Sequence, residues 1–129
     1  LSTLHTIGSA ATIDRIIDVF PTHQQAQIRI QLSMVLEAVI SQQLIPTTDG
    51  KRRVAAFEVM IANPAIKNLI REGKTFQIQS MIQTNRKLGM QTMDDALFDL
   101  YRMGEISSEN CTIYAQDVVS MERKMRGMF

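Results

Sequence analysis

One histidine stands where a side chain could do chemistry. His5 lies in Leu1-Ser2-Thr3-Leu4-His5-Thr6, an apolar–polar alternation that runs into Gly8, Ser9 and then a helical pattern. The alternation predicts a short strand over residues 1–5. In open α/β sheets, groups at the end of a strand, where a loop leads into a helix, are the ones that face ligands. Thr3 and Thr6 flank the imidazole with hydroxyls. A lone histidine at a strand end is more often structural, so a ligand-facing and a structural reading both stand. Glu58 is the second candidate, the single charge inside the apolar run Val54 to Ile61. One reading turns it outward or pairs it with an arginine such as Arg53; the other makes it a site residue.

The remaining side chains exclude several chemistries. A phosphate loop of the form GxxxxGKS/T cradles phosphate with backbone N–H groups and a lysine. The stretch around Gly50 and Lys51 is not that pattern. No Ser/His/Asp order and no helical pair of metal-binding histidines is present. Cys111 is the single cysteine, so neither an internal disulfide nor a multi-cysteine zinc site is available. With only His5 and His23 beside it, no metal site is expected. Fourteen basic and 13 acidic residues give a net charge of +1, without the basic stripe of a nucleic-acid binder. No run of about 18 apolar residues that could span a membrane occurs.

These candidates must be positioned by the elements around them. Ser9 caps a helix with the stripe Ile13, Ile16, Ile17 and Phe20, stopped by Pro21. Thr22 with Gln25 predicts a capping box that opens a second, longest helix. Its stripe Ile28, Leu32, Val35, Leu36 and Val39 predicts the buried spine of the chain. Leu44, Ile45 and Pro46, a turn at Asp49 and Gly50, and then Val54 to Ile61 predict two strands joined by a turn.

Everything from Asn63 onward reads as helical. Asn63 caps and Pro64 takes the first helical position, with Ile66, Leu69 and Ile70 as the stripe and Gly73 as the stop. Thr75 opens a helix ending near Gly89, and Thr92 caps the next, which Gly104 closes. Ser107 or Ser108 opens a short helix, and a last one carries Val118, Val119, Met121 and Met125. The nine methionines fall mostly on these stripes, where Met fills gaps in cores. The expected class is α/β, with a mixed front and a bundle of short helices behind. The chain also opens at Leu1 directly in an alternating pattern, which reads as a start inside a domain; a missing tag or processed leader is the alternative.

At this point the residues resemble a known family. Ser2-Thr3-Leu4-His5-Thr6 resembles the His box of the secretion ATPase superfamily, and Ser9 to Pro21 is similar to the helix that follows it. Ile40 to Leu44 and Val54 to Met60 follow in register. The most specific piece, Ala65-Ile66-Lys67-Asn68-Leu69-Ile70-Arg71-Glu72-Gly73-Lys74, resembles the motif that marks retraction ATPases of type IV pili, the PilT type. Gly89 to Asp94 is similar to the family's C-terminal helices. Assembly-side relatives carry two CxxC pairs between the long helix and the next strand, and the interval Leu44 to Arg53 holds no cysteine. The pattern is departed from at two places, three residues in all. Ile7 and Gly8 replace a polar pair after the His box, and Lys67 stands where arginine is usual, losing the forked contacts of a guanidinium.

The resemblance implies the C-terminal part of a RecA-like P-loop ATPase core over 1–62, followed by a small helical bundle with the retraction motif over 63–129. It implies a cytoplasmic homohexameric motor at the inner face of the cell membrane. That motor would use ATP and Mg2+ and engage the pilus inner-membrane platform protein. His5 and Thr6 would sense the γ-phosphate, and Ala65, Ile66, Lys67, Asn68, Leu69, Ile70, Arg71 and Glu72 would form the retraction motif. The phosphate loop and catalytic acids would lie outside these residues, leaving the segment inactive alone and without cofactor. The alternative is a self-contained, non-enzymatic α/β interaction module.

Overall fold

The computed structural model describes residues 1–127. Helices α1 (Ser9–Asp18) and α2 (Gln25–Val35) precede an antiparallel hairpin of β1 (Ala38–Pro46) and β2 (Arg53–Ile61). Five helices follow: α3 (Pro64–Arg71), α4 (Ile78–Thr84), α5 (Met93–Arg102), α6 (Ser108–Tyr114) and α7 (Val118–Met125). The mixed α/β class is as expected.

The hairpin organises the packing. Its register sets Ser41 opposite Glu58 and Ile45 opposite Val54. The turn closes through Thr47, whose hydroxyl donates to Asp49 Oδ1 at 2.6 Å, and Gly50 takes φ +71°, a conformation that favours glycine. Because side chains alternate along a strand, Ala56, Glu58 and Met60 share the inner face and are buried. The outer face shows Ile40, Leu44, Phe57 and Ile61 to solvent.

Two apolar clusters pack on the inner face. The first joins Met60 to Ile13 and Ile17 of α1, Ile66, Leu69 and Ile70 of α3, and Ile78 and Ile82 of α4. The second joins Ile45 and Ala56 to Met93 and Leu97 of α5, Ile106, Cys111 of α6 and Met121 of α7. Fully burying an isoleucine or leucine contributes about 1.5–3 kcal/mol, so these stripes hold the short helices in place. Glu58, between Ala56 and Met60, marks the seam between the clusters.

Five expectations fail. Ser9 does not cap α1: Gly8 holds the N-cap position, and Ser9 is the first helical residue with its hydroxyl unpaired. Leu1 to His5 forms no strand; these residues are exposed, and the hairpin strands pair with each other. Local alternation cannot make a strand without a ladder partner. Thr22 opens a 3-10 turn and forms no capping box; the Gln25 amide donates instead to Phe20 O at 3.0 Å, satisfying the end of α1. The long helix stops at Val35, and Leu36 turns extended at ψ 127°. Val39 and Ile40, expected at or beyond the helix end, pair with Met60 and Val59 in the hairpin, where β-branched residues pack well. Nor is α2 a buried spine: Ser33 is its buried residue, Ile28 and Leu32 are half-buried, and Ile30, Met34 and Val35 are exposed.

The caps after the hairpin follow the sequence. Asn63 Oδ1 accepts from Ile66 N at 2.9 Å, Thr92 Oγ1 from Asp95 N at 3.1 Å and Ser107 Oγ from Asn110 N at 3.1 Å. Each satisfies one otherwise orphaned helix donor. Asn63→Ala should therefore destabilise the chain by about 1 kcal/mol in urea unfolding, without changing the denaturant slope.

Candidate functional site

The segment that carries His5 is anchored just behind it. His5 is exposed and Thr6 half-buried, with Thr6 Oγ1 and Thr12 Oγ1 2.6 Å apart. Gly8 then turns the chain into α1 at φ +96°, and a side chain there would meet Gln116 Nε2 at 3.1 Å. Its carbonyl accepts from Thr12 N at 3.1 Å and Thr12 Oγ1 at 2.8 Å. Its N–H donates to Ser41 Oγ at 2.9 Å, and Ser9 N donates to Glu58 Oε2 at 2.6 Å. The cross-strand pair Ser41–Glu58 thus grips two successive amides at the entrance to α1.

Glu58 is neither outward nor paired with Arg53. It is 2% exposed, and its other oxygen, Oε1, accepts from Met93 N at 3.1 Å, the first residue of α5. One carboxylate therefore receives donors from the N-terminal ends of two helices. Helix N-termini carry partial positive charge and unsatisfied N–H groups, so they stabilise an anion there. In the sequence Glu58 stands out as a lone charge in an apolar strand, but its partners lie too far along the chain for spacing to show this role. A second carboxylate extends the chain of contacts. Asp94 accepts from Gln116 N at 2.7 Å and Asp117 N at 2.9 Å, tying α5 to the link between α6 and α7. Asp95 meets Lys124 Nζ at 2.6 Å.

The arrangement also limits what these residues can hold. Helix N-termini are ready anion sites. At α1, however, the entering amides of Gly8 and Ser9 are already taken, and the Glu58 carboxylate would repel a phosphate. These residues therefore form no phosphate cradle. Among the described residues, no three His, Cys, Asp or Glu side chains group as metal ligands, and no helix is long and apolar enough to cross a membrane.

The predicted motif Ala65 to Glu72 lies on α3 and its C-terminal end, apart from the His5 segment in sequence. Ile66, Leu69 and Ile70 are buried in the first cluster, while Ala65, Asn68, Arg71 and Glu72 are exposed and Lys67 half-buried. Arg71 Nη1 donates to Asn68 Oδ1 at 2.6 Å, and Glu72 lies 3.3 Å from Lys74. Thr75 Oγ1, just past this stretch, donates to Asp14 Oδ1 of α1 at 2.7 Å.

The chain is 53% identical over 119 residues to a twitching motility protein of Neisseria gonorrhoeae, covering 92% of this chain and 32% of that protein. It is 55% identical over 108 residues to the type IV pilus retraction ATPase PilT of Pseudomonas aeruginosa, covering 84% and 31%. A crystal structure of the pilus retraction motor PilT with bound ADP superposes with a TM-score of 0.80 at 44% identity, over 93% of this chain and 33% of that one. The chain belongs to the PilT family. It spans about a third of the length of the curated relatives it matches. No family model matches it. The α/β fold is shared with the solved PilT motor.

Within this PilT-family chain the one thiol is inert. Cys111 is fully buried, and burial, then the Asp94 charge, push its pKa from 9.0 up to about 11, against a smaller opposing effect of Lys124. A raised folded pKa means that the neutral thiol is favoured by folding. Its contribution to stability is complete below pH 9 and is lost as pH rises toward 11. In urea unfolding, the stability advantage of wild type over Cys111→Ala should be constant below pH 9 and shrink above it. An advantage independent of pH across that window would contradict the assignment.

Proposed function

We propose that this chain is the C-terminal part of an ATP-hydrolysing hexameric motor that powers type IV pilus retraction. The observation that carries this reading is similarity above 50% identity to PilT-family proteins over most of the chain, together with the likeness to an ADP-bound PilT motor. Residues 1–62 form the end of the ATPase core and 63–129 the helical region bearing the retraction motif. The phosphate loop, the catalytic acids, ATP and Mg2+ belong to the rest of the parent protein, so the 129 residues alone are inactive. The motor works in the cytoplasm at the inner face of the cell membrane, against the pilus platform protein.

His5 is the sensing group in this reading. Exposed on a segment anchored at Gly8 and Ser9, it can donate a proton-bearing ring nitrogen to a phosphate oxygen, with Thr6 supporting it. Loss of the γ-phosphate removes that interaction and lets the segment shift. The exposed side of α3, with Lys67, Asn68, Arg71 and Glu72, passes the movement toward the pilus base. Its buried side packs in the first cluster with α1, which begins at the sensing loop.

Two variants of the full-length motor test the two halves of this reading. His5→Ala should lower ATP turnover at least about tenfold while the hexamer stays intact, since transition-state contacts of this kind are worth that much or more. Unchanged turnover would remove the sensing role. Arg71→Ala should leave ATP hydrolysis within about twofold of wild type, as expected for an exposed helix residue, while twitching motility is lost. Parallel loss of both activities would count against transmission through α3.

A further inference from the structure

Glu58 touches the loop behind His5 and the first residue of α5 with the two oxygens of one side chain. Neither contact is local: Ser9 and Met93 are 49 and 35 residues away in sequence. From Met93 the linkage continues through Asp94 to the amides of Gln116 and Asp117, and so to α7, which Asp117 caps. A continuous path of hydrogen bonds and backbone therefore runs from the His5 segment to the last helices.

The joint also has spare capacity. Ser9 Oγ and Gln43 Oε1 are buried without hydrogen-bond partners. Both residues border a cavity of about 540 Å³, lined also by Gly8, Glu58 and Gln116. Buried polar atoms are nearly always paired, and a cavity of this size has room for water to serve both. If Ser9 N leaves the carboxylate, the Ser9 hydroxyl is a replacement donor on the same residue. The cavity gives that exchange room.

We propose that Glu58 is a positioning residue that couples the loop Thr6 to Ser9 to the N-terminus of α5, and through Asp94 to α6 and α7. A displacement of the loop thereby becomes a displacement of the C-terminal helices. The use of this coupling by nucleotide rests on the His5 reading above; the mechanical coupling does not.

The test is hydrogen–deuterium exchange on the full-length protein that carries this segment. Gly8→Ala strains the loop, because alanine tolerates φ +96° poorly and its Cβ crowds Gln116. With Glu58 present, Gly8→Ala should speed exchange at residues 6–9 and also at 93–96 by about tenfold, since local opening follows the lost contacts. In a Glu58→Gln background the same change should alter 93–96 by less than about twofold, because glutamine offers one acceptor oxygen in place of two. The proposal is overturned if 93–96 stays unchanged while 6–9 loosens, or if 93–96 responds equally in both backgrounds. Should Gly8→Ala not fold, Ser41→Ala removes the acceptor of Gly8 N and serves as the loop perturbation. A non-hydrolysable ATP analogue forms a separate arm. If it leaves 6–9 untouched in the wild type, the His5 reading falls, and the coupling is decided by the loop variants alone.

Discussion

The structure depends on one buried carboxylate held between two helix ends. A charge at 2% exposure is costly unless it is hydrogen-bonded. Glu58 meets that cost with two backbone donors, at 2.6 and 3.1 Å, and with the positive ends of two helices rather than with a cation. Hydrogen bonds to charged groups contribute about 1.5–3 kcal/mol each, a large share of the stability of a small domain. Ser41, across the ladder, holds the neighbouring amide of Gly8, so the hairpin register itself aims the entrance to α1. A one-residue slip of β2 would turn Glu58 to the solvent face and release both helices together.

That contact also ties the elements of two separate apolar clusters together. The first cluster gathers α1, α3 and α4 around Met60, and the second gathers α5, α6 and α7 around Ile45 and Ala56. On β2 the residue between Ala56 and Met60 on the inner face is Glu58. An apolar residue at that seam could have fused the clusters, but it could not have fixed where α1 and α5 begin. Polar groups specify geometry that apolar contact leaves loose.

Much of this was legible in the sequence where the signals are local. Asn63 before Pro64 and Thr92 before Asp95 each predict a helix start, as does the pair Ser107 and Ser108, of which Ser107 is the cap; each capping side chain makes its bond. The polar turn at Asp49 and Gly50 predicted the hairpin. The family resemblance, carried by runs such as Ala65 to Lys74, was legible for the same reason. What failed was mostly non-local, with the caps expected at Ser9 and at Thr22 and Gln25 as the local exceptions. Val39 extends the stripe of α2 perfectly well, and only pairing with β2 makes it a strand residue. Leu1 to His5 alternates like a strand, but alternation says nothing about the presence of a partner. Glu58 was visible as an anomaly, yet its partners lie 49 and 35 residues away, beyond any spacing rule.

The buried thiol carries a practical consequence. Cys111 is sealed in the second cluster with its ionisation suppressed at neutral pH, so maleimide dyes have no thiolate to attack there. A cysteine introduced at an exposed position such as Arg71 or Val119 would be the reactive one in this segment. Fluorophores can thus be placed on α3 or α7 without first removing the native thiol, leaving the packing around it undisturbed during distance measurements.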